Sequence, residues 1–154
     1  MDVRLEDHAV VTGGGRPIVV CGTDGRTNHD PTVRLAADVA EELAAAVLVL
    51  HVPRHSLAAG IDASASGVAA LWAAQLQEQS LATAAEILRE RGVPGTVRAT
   101  DGPPVRELTR LAVELAARAI VVSACPYRGH RTRLHLCPGR ALERRASCFV
   151  LRAE

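Results

Sequence analysis

The segment from Pro126 to Arg145 concentrates basic side chains. It carries six arginines against one acid, Glu143. A guanidinium group is a planar donor that fits phosphate or carboxylate oxygens. Two interpretations stay open, an anion-binding site or a solvated basic surface that contacts a partner. The arginines are Arg128, Arg131, Arg133, Arg140, Arg144 and Arg145.

Four potential zinc ligands overlap the same segment, with the spacing Cys-x4-His-x4-His-x-Cys. They are Cys125, His130, His135 and Cys137. Zinc requires thiolates and neutral imidazoles arranged as a tetrahedron. The spacing matches no common zinc module, so we predict no metal site.

Motifs for catalysis are scarce. All 18 basic side chains are arginines, and the absence of lysine excludes a Walker A loop, a Schiff-base lysine and a Ser-x-x-Lys hydrolase. There is also no Gly-x-Ser-x-Gly elbow. A Ser-His-Asp set can be drawn from polar residues near predicted strand ends, but any α/β protein allows such a set. We predict no catalytic residue; the members of that set are Asp24, His29, His51, His55 and Ser123.

Length and composition indicate one domain with an aliphatic core. The chain has 154 residues, of which only 2% are aromatic, and its net charge is +1. This charge predicts no general attraction to nucleic acid or membranes. The sequence before Arg16 lacks the apolar run of a signal peptide, so we expect a cytoplasmic protein with free thiols. The use of arginine in place of lysine, with abundant alanine, suggests a bacterial source.

Alternating apolar and amphipathic segments predict a doubly wound parallel α/β sheet. We expect residues 1–16 to be a flexible leader and residues 17–154 to form the domain. The predicted strands are Ile18–Cys21, Ala46–Val52, Thr96–Ala99, Ala119–Val122 and Cys148–Leu151, with both cysteines of this set, Cys21 and Cys148, inside strands. The predicted helices run from Asp30 to Leu43, Gly67 to Arg91, Pro103 to Ala117 and Arg140 to Ala146.

The second predicted helix has apolar residues along its whole length. We predict that these residues, with one glutamine among them, mark its inner side. They are Val68, Leu71, Trp72, Gln75, Leu76, Ala84, Ile87 and Leu88.

Several segments resemble the universal stress protein family in order and spacing. The run Ile18–Gly25 is similar to the first strand of that family, which ends in Asp-Gly-Ser, and Val47–Val52 is similar to its second strand. Gly102-Pro103-Pro104 with the strand Ala119–Val122, and the closing Ala146–Leu151, resemble later family segments. Arg118 departs from the pattern, because the family has Asp there. The resemblance implies five strands in the order 3-2-1-4-5 and a homodimer.

The resemblance also implies an ATP site that this sequence has damaged. Many members bind ATP through Gly-x2-Gly-x9-Gly followed by Ser or Thr, since glycines let backbone amides approach phosphates. Ungapped, the motif falls on Ser123, Pro126, Leu136 and Cys137, with no glycine. A gapped alternative, on Pro126, Gly129, Gly139 and Arg140, recovers two glycines but needs an insertion and a deletion.

We therefore expect a non-catalytic, dimeric stress-response or regulatory module without a cofactor. The first alternative is an adenine-nucleotide sensor, and a weaker one is a small hydrolase. The family uses an aspartate like Asp24 against the nucleoside, although Asp24 also suits a turn with Gly25. If a nucleotide is retained, the contacts implied are Asp24, Val52, Ser123, Arg128 and Gly129.

The dimer is expected through the fifth strand, Cys148–Leu151. This strand lies at the sheet edge in the implied order, and it is apolar, free of proline and uncharged up to Arg152. An apolar edge with unpaired backbone groups is a template for pairing with a second copy. Phe149 replaces a proline that is frequent in the family, which frees one more amide.

Overall fold

The computed structural model describes residues 15–23, 30–52, 66–124 and 138–153. Within these ranges strands and helices alternate along the chain, as the sequence predicts. The strands are β1 Ile18–Thr23, β2 Ala46–His51, β3 Gly95–Ala99, β4 Ala119–Ser123 and β5 Phe149–Ala153. The helices are α1 Asp30–Glu42, α2 Ser66–Glu90, α3 Pro104–Glu114 and α4 Pro138–Arg145. The leader, apart from its last two residues, lies outside the described residues.

The strands form one parallel sheet in the order β3-β2-β1-β4-β5. Val19 of the central strand β1 is level with Val47 of β2 on one side and with Ala119 of β4 on the other. The fold class and strand order expected from the sequence are confirmed. In such a sheet, ligands bind beyond the carboxyl ends of the strands, where the strand order reverses between β1 and β4.

Two apolar layers cover the sheet. Val19 and Cys21 of β1 pack on the side of α1 and α2, whereas Ile18 and Val20 pack on the side of α3 and α4. Because successive side chains of a strand point to opposite faces, a continuous apolar strand supplies both layers. The described core is built from aliphatic side chains and Cys21, as the 2% aromatic content requires.

The prediction for α2 is right for its last turns and wrong for its first ones. Ala84, Ile87 and Leu88 are each 3% exposed and pack under the helix. The large apolar residues of the first turns are instead 52% to 73% exposed. At 100° per residue the mean directions of the two groups lie about 140° apart around the helix, with Leu76 at the edge of the exposed group, about 20° from Ile87. The exposed group is Val68, Leu71, Trp72 and Leu76, and Gln75 beside it is exposed as well.

The end of the chain also differs from the prediction. Because Phe149 pairs with Ala119, β5 begins at Phe149, and the half-buried Cys148 precedes the strand instead of lying within it. Cys21 does lie within its strand, as predicted. Arg152, expected to follow the strand, falls inside β5, where its Nη2 lies 3.0 Å from Oε1 of Glu143 on α4.

Candidate functional site

The candidate site is the carboxyl edge of the sheet around β1, β2 and β4. Thr23, His51 and Ser123 are the last residues of these three strands. Helix α1 starts at the same edge with Asp30 in its first turn. The parallel topology thus brings three kinds of polar side chain to one edge, hydroxyl, imidazole and carboxylate, together with the backbone amides at the start of α1.

Thr23 and His51 face each other across β1 and β2. Their Cα atoms are register partners, and Thr23 Oγ1 lies 3.4 Å from His51 Nδ1. Both residues are buried, with 6% and 3% exposure. The distance is at the long end of a hydrogen bond. The pair therefore gives the imidazole ring a polar neighbour inside the sheet.

Backbone hydrogen bonds continue this pairing past the strand ends. The Val52 N–H donates to the Thr23 carbonyl at 2.8 Å, and the Thr100 N–H donates to the His51 carbonyl at 3.0 Å. Val52 is 2% exposed, and its side chain belongs to the apolar layer under α3 and α4. Its backbone donor is thus already satisfied within the sheet.

Ser123 is joined to α1 by a side-chain hydrogen bond. Its Oγ lies 2.8 Å from Thr32 Oγ1, and Thr32 is 1% exposed in the first turn of the helix. Either hydroxyl can be the donor. A hydroxyl is not a general base, so this contact does not activate Ser123 as a nucleophile. It fixes the start of α1 against the end of β4.

Two of the predicted ligand contacts, Val52 and Ser123, are placed by the structure. Both lie at the carboxyl edge, on opposite sides of β1, because Val52 follows β2 and Ser123 ends β4. The remaining three, Asp24, Arg128 and Gly129, lie outside the described residues. So do His29 and His55, and the four potential zinc ligands Cys125, His130, His135 and Cys137. Across the described ranges no group of three or more metal-binding side chains is found.

The described part of the basic segment is the helix α4. Arg140, Arg144 and Arg145 are exposed there, while Leu142 is fully buried beneath the helix. Glu143, the single acid of the segment, contacts Arg152 of β5. The outer face of α4 is therefore solvated and strongly basic next to the edge strand.

Cys21 does not supply a nucleophile. It is fully buried in the centre of β1, and burial raises the pKa of its thiol to about 12. A thiol that remains protonated at neutral pH is inert. Cys21 therefore acts as a small apolar side chain in the core.

Thr32 is a contact that was not predicted. The predicted helix starts at Asp30, two residues earlier, but no role is predicted for the Thr32 hydroxyl. The available signal is that Thr32 precedes Val33 on the inward side of α1, where a polar side chain requires a partner. The identity of that partner, 91 residues away, is supplied by the fold alone.

Comparisons with known proteins agree with this architecture. Residues 16–150 match the model of the universal stress protein family. None of the described helices is long and apolar enough to cross a membrane. Among curated proteins, none matches the sequence.

Solved structures of similar fold include a universal stress protein in complex with cAMP. It is 21% identical, with a TM-score of 0.68 over 90% of this chain and 97% of that one. A universal stress protein from Archaeoglobus fulgidus in complex with dAMP is 22% identical, with a TM-score of 0.60 over 90% and 98%.

A family member from Burkholderia pseudomallei is 21% identical, with a TM-score of 0.64 over 89% of this chain and 95% of that one. These likenesses concern the fold. The family match spans both apolar layers and the carboxyl edge, and the chain belongs to the universal stress protein family.

Proposed function

We propose that this chain is a non-catalytic, dimeric stress-response or regulatory module that binds ATP weakly or not at all. The observation that carries the proposal is the position and hydrogen bonding of Ser123. In the ungapped alignment it stands at the first glycine of the ATP motif, and its hydroxyl is bonded to Thr32 of α1. The composition supports a bacterial, cytoplasmic setting.

The rest of the motif supports the same conclusion. A triphosphate cradle needs backbone amides at close approach. Pro126 at the second glycine position lacks an amide donor, and Leu136 at the third adds a bulky side chain. Each replacement removes one element of the cradle, and all three weaken phosphate binding in the same direction.

Calorimetry with Mg-ATP tests this proposal. We expect a dissociation constant weaker than about 10 μM, equivalent to about −7 kcal/mol. The triple variant Ser123→Gly, Pro126→Gly, Leu136→Gly should bind ATP at least about tenfold more tightly, a gain of about 1.4 kcal/mol. Tight binding by the unaltered protein contradicts the proposal.

The absence of catalysis is supported by the polar contacts at the carboxyl edge. Ser123 is bonded to another hydroxyl, and the hydroxyl nearest to the His51 ring, that of Thr23, lies 3.4 Å away and is buried from any substrate, at 6% exposure. Nucleophilic catalysis requires a nucleophile within reach of a base. We expect no ATP or ester hydrolysis above background, and a Ser123→Ala variant as inactive as the unaltered protein. Turnover that Ser123→Ala abolishes would favour the hydrolase alternative.

A second candidate function is an adenine-nucleotide sensor. Two proteins of similar fold were solved with cAMP and dAMP, which carry one phosphate each. One phosphate needs fewer donors than three, so loss of the triphosphate cradle does not exclude it. Asp24 and the backbone carbonyl of Val52 would face the nucleoside, and Arg128 and Gly129 the phosphate.

Titration with cAMP, dAMP and sulfate separates the two candidates. A ligand that binds the native state raises the melting temperature. If the basic segment holds the phosphate, the variant Arg128→Ala, Arg131→Ala, Arg133→Ala loses that rise. The exposed arginines of α4 provide a control, since Arg144→Ala should keep it. An equal rise in the triple variant leaves the solvated basic surface as the interpretation.

Dimerisation through β5 is part of the proposal. Phe149 is 80% exposed and Leu151 37% exposed on this edge strand. The Ala153 carbonyl accepts a hydrogen bond from the Ala124 N–H, which follows β4. Because backbone groups alternate in direction along a strand, those of Phe149, Leu151 and Ala153 point toward β4. The backbone N–H groups of Val150 and Arg152 therefore point to the open edge, where they can pair with β5 of a second copy.

Light scattering of Val150→Pro tests the dimer. The substitution removes a donor at the open edge and leaves the ladder to β4 intact. We expect the mass to fall from that of a dimer toward 16.3 kDa. Arg152→Pro, which removes the other outward donor, should do the same. A monomeric unaltered protein, or two proline variants as tightly dimeric as it, contradicts this interface.

A further inference from the structure

The first turns of α2 carry an apolar patch that the fold leaves uncovered. We define the α2 patch as Val68, Leu71, Trp72 and Leu76, which are 62%, 73%, 63% and 52% exposed. Their spacing of i, i+3, i+4 and i+8 places them on one helical face. Trp72 is the single tryptophan of a chain with 2% aromatic residues.

The patch does not belong to the core of its own domain. The mean direction of the residues of α2 that reach the core lies about 140° around the helix from that of the patch, and Leu76, which is nearly in line with Ile87, is still 52% exposed because it lies three turns earlier. The helix itself spans about 37 Å at 1.5 Å per residue, while a five-residue strand spans about 17 Å. Helix α2 thus extends well beyond the strands it covers, and the patch occupies its outer face.

The lack of charged residues in the first turns of α2 indicates what kind of partner fits the patch. From Ser66 to Gln77 the helix has no charged residue, and Glu78 is the first. A charged or polar partner would find no ion pair there. A second copy brings an equally apolar and uncharged face, so two copies related by a two-fold axis bury both patches without like-charge contacts.

We propose that the α2 patch is a self-association surface, in which α2 of one copy packs antiparallel on α2 of another. The helix packs over β2 and β3, whereas β5 is at the opposite edge of the sheet. The two surfaces are therefore separate on the molecule. The α2 contact does not depend on the dimer through β5, and both together would join dimers into larger assemblies.

The size of the patch sets the strength of the contact. Residues 68 to 76 cover about 12 Å of helix. Two such faces bury an area at the low end of protein interfaces, below about 1,200 Å² in total, which is typical of weak, transient association. Occupancy should therefore rise with protein concentration in the micromolar range.

Trp72 reports directly on this surface, because it is the only tryptophan. Its emission maximum and its quenching by acrylamide can be followed from about 1 to about 500 μM protein, alongside the mass by light scattering. With rising concentration we expect a shift of the emission to the blue, an at least twofold fall in the quenching constant and an increase in mass. Association through β5 alone would raise the mass without changing Trp72.

Two variants of α2 sharpen the test while keeping Trp72. Leu76→Glu places like charges opposite each other in the proposed contact, and should abolish the concentration-dependent shift. Ala74→Glu adds the same charge at an exposed position on another side of the helix, and should retain it. A shift that survives Leu76→Glu overturns the proposal.

Two other outcomes also overturn it. Blue, poorly quenched emission from a particle of constant mass at all concentrations, unchanged in Leu76→Glu, would mean that the chain covers its own patch. Red, fully quenched emission throughout would mean that no second copy binds there.

Discussion

The two halves of α2 have similar apolar content but opposite surroundings. Leu88, in the last turns, is 3% exposed against the sheet, whereas Leu76, three turns earlier, is 52% exposed. Both leucines lie in the same helix and differ mainly in what surrounds them. The last turns of α2 therefore stabilise the fold, whereas the exposed apolar side chains of its first turns contribute little to the core.

The largest difference between the halves should appear on truncation of these two leucines. Leu88→Ala removes a buried side chain and leaves a cavity, at an expected loss of about 2–5 kcal/mol in the free energy of unfolding. Leu76→Ala should stay within about 0.5 kcal/mol of the unaltered protein. Chemical denaturation at low protein concentration, where association is negligible, measures both. Equal losses would mean that the two halves are packed alike.

Two glycines extend the comparison to the backbone. A Cβ at Gly95, where β3 meets the last turns of α2, would lie 2.6 Å from the Val47 carbonyl oxygen and 2.7 Å from Leu88 Cδ1. At Gly67, in the first turn of α2, it would meet nothing within 4 Å. Gly95 thus sits tightly against β2 and the last turns of α2, whereas Gly67 has open space beside it.

Substitution by alanine should therefore have opposite effects at these glycines. Gly95→Ala forces the backbone apart and should cost about 1–3 kcal/mol. Gly67→Ala improves the helix propensity and should be neutral or stabilising by less than about 1 kcal/mol. Thermal unfolding of the two variants checks this, and a Gly95→Ala protein as stable as the unaltered one contradicts the close approach.

The sequence predicts much of the fold because each strand can be recognised from a short local pattern of residues. Ile18–Cys21 and Ala119–Val122 are continuous apolar runs, which favour strands buried on both faces. The strand order comes from the family resemblance, because local patterns do not specify which strands are neighbours. The prediction that the apolar residues in the first turns of α2 face the core is wrong. Leu76 and Leu88 are chemically identical, and periodicity does not reveal which of them packs against the sheet.

The candidate site is less predictable, because its contacts join distant parts of the chain. Ser123 and Val52 were selected from the sequence, and both lie at the expected edge. The bond between Ser123 and Thr32, however, depends on how α1 sits on β4, which no local pattern encodes. The same holds for Thr23 and His51, 28 residues apart, which the register of β1 on β2 brings together.

The core under the last turns of α2 also predicts an alkaline limit to stability. Cys21 belongs to the same apolar layer as Ile87 and Leu88, and burial raises the pKa of its thiol from 9.0 to about 12. Unfolding lets the thiol ionise above its ordinary pKa. Between pH 9 and about 12 the free energy of unfolding should therefore fall with rising pH, by about 1.4 kcal/mol per pH unit from this group.

Replacement of Cys21 isolates this effect. The chain has no lysine, so the other side chains that titrate in this range are one tyrosine and three cysteines. Cys21→Ala should lower the overall stability but flatten its decline above pH 9, whereas Cys148→Ala should keep most of the decline. Denaturation curves at pH 8, 9 and 10 provide the slopes. An unchanged slope in Cys21→Ala would show that the thiol ionises as easily in the folded protein.

The smallest expected effect concerns the ion pairs where α2 ends. Arg91, just after the helix, contacts Asp38 and also Glu41 of α1, with 3.3 Å between Arg91 Nε and Glu41 Oε1. Its side chain is 32% exposed, and the contact ties the packed end of α2 to α1. Arg89 and Glu86 instead pair within α2, with 73% and 51% of their side chains exposed.

We expect a coupling free energy of about 0.2–1 kcal/mol between Arg91 and Asp38 from a double-mutant cycle with alanine. The coupling between Arg89 and Glu86 should be smaller, because solvent screens it more and it joins no second element. Added salt should weaken both couplings, since exposed charges are screened within about 10 Å at 0.1 M salt. A stronger coupling for Arg89 with Glu86 than for Arg91 with Asp38 would mean that the ion pair to α1 does not hold the end of α2. Apolar packing around Leu88 would then hold it alone.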